Sequence, residues 1–237
     1  MERLKDIIKK IKDSEQSGKI LRNEYVVDNI NKALDVVEQI GKAKNKKFVI
    51  DDDNRWVYTQ LIKWVQGDRS FECIDIETRQ RKPGNLSAGI YLAGPTGTGK
   101  SWALEIMSLL SQIDDVRLFC AGKMTKLEFP SVRTNQVCNE FAQGQSIEKY
   151  NQMPIVCFQD LCSLSEPEES MYMGNRLKIM QSIIESRGDR QDLITLFSSN
   201  VKFDSPHFRD RYTDRVVSRM FEMCNYLELK GGDRRRI

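Results

Sequence analysis

The residues best equipped for chemistry are Gly94-Pro95-Thr96-Gly97-Thr98-Gly99-Lys100-Ser101, which fit the spacing G-x-x-x-x-G-K-[ST]. Glycine admits positive φ and lets the backbone approach an anion closely. Successive N–H groups then form a concave nest, and a helix starting there points its positive end at the phosphates. Lys100 is placed to reach the β- and γ-phosphates of a nucleotide, and the Ser101 hydroxyl to hold Mg²⁺, so ATP and Mg²⁺ are the expected ligands.

Such a loop needs a carboxylate at the end of a neighbouring strand, to hold Mg²⁺ through water and orient the attacking water. Pro154-Ile155-Val156-Cys157-Phe158 is a continuous apolar run, as a strand buried on both faces requires, and it ends in Gln159-Asp160. Asp160 is the candidate carboxylate. Gln159 can accept a hydrogen bond from a metal-bound water but brings no charge, and Mg²⁺ prefers carboxylate and phosphate oxygens. Adjacent strand residues point to opposite sides. Asp160 can therefore take over the position of Gln159 only if the strand end is bulged or turned. Asn200 closes another apolar run, Leu193 to Phe197, and is placed to hydrogen-bond the γ-phosphate or the water. Arg215 and Arg219, four apart, share a helix face. Either one, reaching a neighbouring subunit's γ-phosphate, would be an arginine finger; the plainer alternative is a pair of surface arginines. Arginine is concentrated late in the chain, at 209, 211, 215, 219, 234, 235 and 236, which fits a solvated face or an anion-contacting surface.

The elements that must position these residues alternate between strand and helix. Ala88 to Ala93 is a short apolar strand running into the glycine loop, and Ser101 to Gln112 is a helix with Ala103, Leu104, Ile106, Met107, Leu109 and Leu110 apolar. Upstream, residues 1 to about 50 are helical by pattern, with Leu4, Ile7, Ile8 and Ile11 on one face and Ile30, Ala33, Leu34, Val37 and Ile40 on another. Gly41 to Lys47 looks like a basic linker. Val57, Leu61, Trp64 and Val65 make 55 to 66 an amphipathic helix, and Phe71 to Asn85 looks like a short strand or hairpin. Downstream, Val116–Ala121 and Leu127–Val132 read as strands, Pro130 favouring an edge or a strand end for the second. Further helices are expected over Thr134–Phe141, Asn175–Ser186 and Arg211–Met223, with a last strand over Tyr226–Leu229. The sum is an α/β fold, a parallel sheet with helices on both faces.

Composition narrows the alternatives. The 237 residues suffice for one α/β domain plus a small appendage, and no apolar run nears the roughly 20 residues that cross a bilayer. Met1 to Asp6 carries charges of both signs, unlike a signal peptide, so a cytoplasmic location is expected. The six cysteines contain no C-x-x-C pair, and the single histidine, His207, argues against a zinc site and against a hydrolase triad.

Taken together, Gly94–Ser101, Phe158-Gln159-Asp160-Leu161, Ser198-Ser199-Asn200 and Asp214-Arg215-Val216-Val217-Ser218-Arg219-Met220 resemble the DnaC/DnaI helicase loaders and the IstB transposition-helper ATPases of the AAA+ superfamily. Glu222-Met223-Cys224 and Gly232-Asp233-Arg234-Arg235 also look most like that branch. The resemblance covers about residues 55 to 237. It implies a P-loop NTPase fold with a short N-terminal helical segment (1–50), which usually contacts the partner, ahead of the ATPase domain (51–237). By resemblance Lys100 and Ser101 are Walker A residues, Asp160 is in the Walker B position, Asn200 is sensor 1, and Arg215 and Arg219 are finger candidates. The family couples ATP to homo-oligomeric assembly, to single-stranded DNA, and to a replicative helicase or a transposase. Two departures stand out. Gln159 replaces the first of the usual two acids, so slow hydrolysis is expected, down to a nucleotide-gated scaffold with little turnover. The chain also stops soon after the last strand, so no full C-terminal lid and no duplex-reading domain are expected.

Overall fold

The computed structural model describes residues 19–234. In chain order its elements are Ile30–Lys44 (α1), Arg55–Gln66 (α2), Glu72–Ile74 (β1), Arg81–Pro83 (β2), Gly89–Ala93 (β3), Lys100–Ile113 (α3), Arg117–Cys120 (β4), Lys123–Lys126 (β5), Ser131–Arg133 (β6), Thr134–Ala142 (α4) and Glu148–Gln152 (α5). They continue with Ile155–Leu161 (β7), Ser170–Tyr172 (β8), Asn175–Leu177 (β9), Ile179–Gly188 (α6), Ile194–Ser199 (β10), Pro206–Arg211 (α7), Asp214–Met223 (α8) and Cys224–Glu228 (β11).

Five strands form the central sheet in the order β11-β3-β10-β7-β6, and every neighbouring pair is parallel. Because side chains alternate across a strand, the sheet feeds two cores. Ile90, Leu92, Ile155, Cys157, Ile194, Leu196 and Leu227 face one side, with Val37 of α1, Leu61 of α2 and Leu104 and Met107 of α3. Tyr91, Val156, Phe158, Phe197 and Tyr226 face the other, with Val137 of α4, Ile183 and Ile184 of α6, and Val216 and Met220 of α8. The sheet is thus covered on both faces, as a parallel sheet must be. The order sets β10 between β3 and β7, so the three strands that carry the candidate site residues end side by side.

Several elements depart from the sequence expectations. Residues 19–29 are not helical: Leu21 pairs its backbone with Phe119, and the Tyr25 N–H donates to the Gly67 carbonyl. Gly41 to Lys44 is the last turn of α1, not a linker; Lys42 and Lys44 sit in that turn, where the helix dipole favours cations. Val116–Ala121 does not contribute to the central sheet. β4 and β5 form an antiparallel hairpin outside it, turned through Ala121 and Gly122, which both have positive φ. The edge strand β6 begins only after Pro130, whose carbonyl accepts the Cys157 N–H at 2.9 Å. Asn175–Leu177 pairs as β9 with β8, turned through Met173 and Gly174, and the helix starts at Ile179. The helix expected over Arg211–Met223 starts at Asp214, as α8; Arg211 instead ends a separate short helix, α7, and Tyr212 and Thr213 between them are extended. The apolar face at Leu4 to Ile11, and Arg235 and Arg236, lie outside the described residues.

Candidate nucleotide site

β3 stops at Ala93 and α3 starts at Lys100, leaving Gly94 to Gly99 to turn the chain. Gly94 and Gly97 have φ of 156° and 83°. A Cβ on Gly94 would strike the Leu229 carbonyl oxygen, and one on Gly97 the Asp233 side chain, so both positions need glycine for space as well as for conformation. The loop leads into the start of α3, where no side chain caps the helix and the backbone N–H groups of the first turn face the loop. That is a cradle for an anion, and the residues present fit a nucleotide phosphate chain.

Lys100 is 6% exposed. Its ammonium donates to the Gly94 and Pro95 carbonyls, each at 2.8 Å, and to Asn200 Oδ1 at 2.7 Å. Asn200 follows β10, so the sheet order brings Lys100 and Asn200 into direct contact. Ser101 is the second residue of α3, half-buried beside them.

Gln159 and Asp160 lie within β7, which is bulged where they occur. Phe158 opposes Phe197 and Leu161 opposes Ser199, so three steps along β7 match two along β10. Asp160 has φ of 60°, the left-handed value a bulge demands. The strand end therefore meets the geometric condition under which Asp160 leaves the simple alternation. Its N–H donates to Ser198 Oγ at 3.3 Å, its carbonyl accepts from Thr134 Oγ1 at 3.2 Å, and its carboxylate, half-exposed, lies 4.0 Å from the Arg133 guanidinium. Ser199 Oγ donates to the Leu161 carbonyl at 2.6 Å, locking the far side of the bulge. Gln159 is 7% exposed, and its Nε2 donates to Glu105 Oε1 of α3 at 3.4 Å.

The loop after β7 is anchored by the buried Glu166, which accepts from the Cys162 N–H at 3.0 Å and from the Tyr212 hydroxyl, and lies 3.5 Å from Arg211. Burial, and then the Glu166 charge, push the Tyr212 hydroxyl well up, so it remains a donor. Arg215 and Arg219 share a face of α8, and both meet Asp189 at the end of α6; Arg219 also reaches Glu222 at 3.2 Å. Their ion-pair partners belong neither to the glycine loop nor to β7. Arg215 is the more exposed, its side chain at 61% against 27% for Arg219.

Sequence reasoning did not find four contacts at the site. The chain after β11 runs over the glycine loop: the Arg234 N–H donates to the Gly97 carbonyl at 3.0 Å, and its guanidinium grips Asp51 with two bonds of 2.8 Å. Glu105 approaches Gln159, and Lys44 pairs with Glu105. Nothing in the local pattern signals partners so far apart along the chain. Among the described residues, no group of three or more His, Cys, Asp or Glu side chains could hold a metal ion, and no helix is long and apolar enough to cross a membrane.

No protein-family profile matches the chain, and no curated protein matches it. Solved structures do. A candidate primosome component from Streptococcus pyogenes serotype M3 aligns at TM-score 0.51 and 17% identity over 78% of this chain and 84% of that one. AMPPCP-bound DnaA from Aquifex aeolicus aligns at 0.47 and 17% identity over 80% of this chain and 50% of its own, and the DnaC helicase loader at 0.47 and 14% over 78% and 95%. The first of these shows a shared fold. The chain has an α/β fold, a parallel five-stranded sheet with helices on both faces, and it is at the level of the fold that the likeness is present.

Proposed function

We propose that the chain binds ATP with Mg²⁺ at Gly94–Ser101 and acts as an ATP-dependent replication accessory factor of the helicase-loader type, working as an oligomer on single-stranded DNA. The observation that carries the nucleotide assignment is the glycine loop closed on Gly94 and Gly97, with the buried Lys100 ammonium joined to Asn200 at 2.7 Å. The loader assignment is supported by the resemblance of the four motifs and by the naming of a structure of the same fold as a primosome component.

The residues divide the work by position. The N–H groups at the start of α3 bind phosphate oxygens. Lys100 exchanges its loop carbonyls for the terminal phosphates, and Asn200, already its partner, is carried to the same place. Ser101 offers a hydroxyl ligand. Bound Mg²⁺ would neutralise the developing charge on the phosphates. Asp160, turned out by the bulge, orients the attacking water. Gln159 lacks the charge of the usual first acid, so hydrolysis is slow and the bound state persists. Arg215, the more exposed of the α8 pair, is the finger candidate for a neighbouring copy. Binding to single-stranded DNA runs along its backbone and weakens steeply with salt.

Affinity purification of the tagged chain from its source cell, with ATP present, tests the assignment. A replicative helicase should be retained and should be lost with Lys100→Ala. A transposase in its place would favour the IstB-type alternative, and retention of neither would remove the loader assignment.

A further inference from the structure

Gln159 brings no negative charge to the strand end on the metal side of the proposed site, and α3 offers a carboxylate beside it. Glu105 is four residues beyond Ser101, on the same face of the helix. Its Oε1 accepts from Gln159 Nε2 at 3.4 Å. An amide that donates through its nitrogen in one direction presents its oxygen in another, so this contact fixes which way Gln159 is turned. The carboxylate has a second partner: its Oε2 pairs with the ammonium of Lys44, the last residue of α1, sixty-one positions away in sequence. Both side chains are about one-third exposed, at 35% for Glu105 and 37% for Lys44, so the pair is open to exchange with solvent or with a changed neighbour. One carboxylate thus touches the strand-end amide on one side and the N-terminal helix on the other.

We propose that Glu105 is the positioning residue that makes up for the acid missing at Gln159, turning the amide oxygen toward a metal-bound water and supplying negative charge beside it, and that Lys44 of α1 sets how much of that charge is available. This rests on the ATP–Mg²⁺ assignment above. The arrangement ties metal affinity to the placement of α1. While Lys44 holds Glu105, the carboxylate is partly neutralised. When α1 shifts and the ammonium leaves, the full charge acts on the metal side of the site.

The test is calorimetric binding of a non-hydrolysable ATP analogue to the full chain, with MgCl₂ and with EDTA, reading the ratio of the two affinities. Glu105→Gln should cut the Mg²⁺ enhancement on the order of tenfold, as loss of an outer-shell partner does, while affinity in EDTA stays at the parent value. Adding Gln159→Asp to Glu105→Gln should restore the enhancement, which a purely structural role for Glu105 would not allow. Lys44→Ala, which leaves α3 intact, should raise the enhancement about threefold, the scale of one exposed ion pair. A parent-like ratio in Lys44→Ala, or in a Glu105→Gln protein with unchanged melting temperature, would overturn the proposal and leave the ATP assignment standing. Absence of binding by the parent in both buffers would overturn both.

Discussion

The chemistry at single-residue scale turns on Gln159 and Asp160. The sequence shows their types, and the apolar run before them shows that they end a buried strand. The bulge could not be seen, because it comes from unequal spacing against β10, where Ser198 and Ser199 hold the backbone of residues 160 and 161. With Asp160 at φ 60° its carboxylate stands half-exposed near Arg133, while Gln159 stays 7% exposed against Glu105. Asp160→Asn should therefore nearly abolish turnover while ATP still binds. Gln159→Asp should raise basal turnover and sharpen its dependence on Mg²⁺. Single-turnover phosphate release over a magnesium titration measures both. An unchanged Gln159→Asp protein, with turnover and magnesium dependence both lost in Asp160→Asn, would make Asp160 the sole metal-linked acid and the Gln159 position irrelevant to the metal.

Between elements, the link from the C-terminal segment to the front of α2 matters most for the glycine loop. The Arg234 guanidinium, bonded twice to Asp51, holds the Asp51 carboxyl below the usual carboxylate range, through the hydrogen bonds first and against the smaller cost of burial. A depressed acid contributes stability that is present above its unfolded value of about 3.9 and is lost as the pH falls through the folded value. Arg234→Ala should cost about 1 kcal/mol or less at pH 7, since the Asp51 side chain is 40% exposed. The gap in Tm between parent and variant should close only in acid, below the ordinary carboxylate range; a gap independent of pH would show that the pair contributes packing rather than charge. The same scale shows what was legible in the sequence. β3, β7, β10 and α3 stand out because burial on both faces, or one helical stripe, leaves a strong apolar pattern. Of the β4–β5 and β8–β9 hairpins only β4 reads as a strand, and neither pairing is visible. Their turns set Ala121 and Met173 at positive φ, which composition does not announce, and β5 and β9 are largely exposed. The break between α7 and α8 was hidden because Tyr212 and Val216 both face the core, keeping a helix-like spacing across an extended step.

For the whole molecule, the two-sided sheet makes a rigid frame on which three strand ends converge, and the remaining parts arrive from outside the motifs. Arg187, 1% exposed, shows how tightly the frame is tied: it donates to the carbonyls of Tyr150, Met153 and Ile194 and to Thr195 Oγ1, joining α5, α6 and β10. Its replacement by Met should cost roughly 3 kcal/mol or more, because several buried acceptors lose their donor, and urea unfolding reads that loss; a variant as stable as the parent would mean that water fills the gap. An oligomeric site predicts complementation. An Arg215→Ala protein with an intact glycine loop, mixed with Lys100→Ala, should regain part of the ATPase activity that each lacks alone. No recovery at any ratio, with a monomer in ATP by light scattering, would count against a shared site. The most direct measurement for the account as a whole is calorimetric titration of ATP–Mg²⁺ into the parent chain and into Lys100→Ala. Removing a charge-assisted contact to the terminal phosphates should leave the fold intact and weaken binding by at least tenfold, whereas equal affinity in the two proteins, or no binding by the parent, would contradict a nucleotide site at Gly94–Ser101.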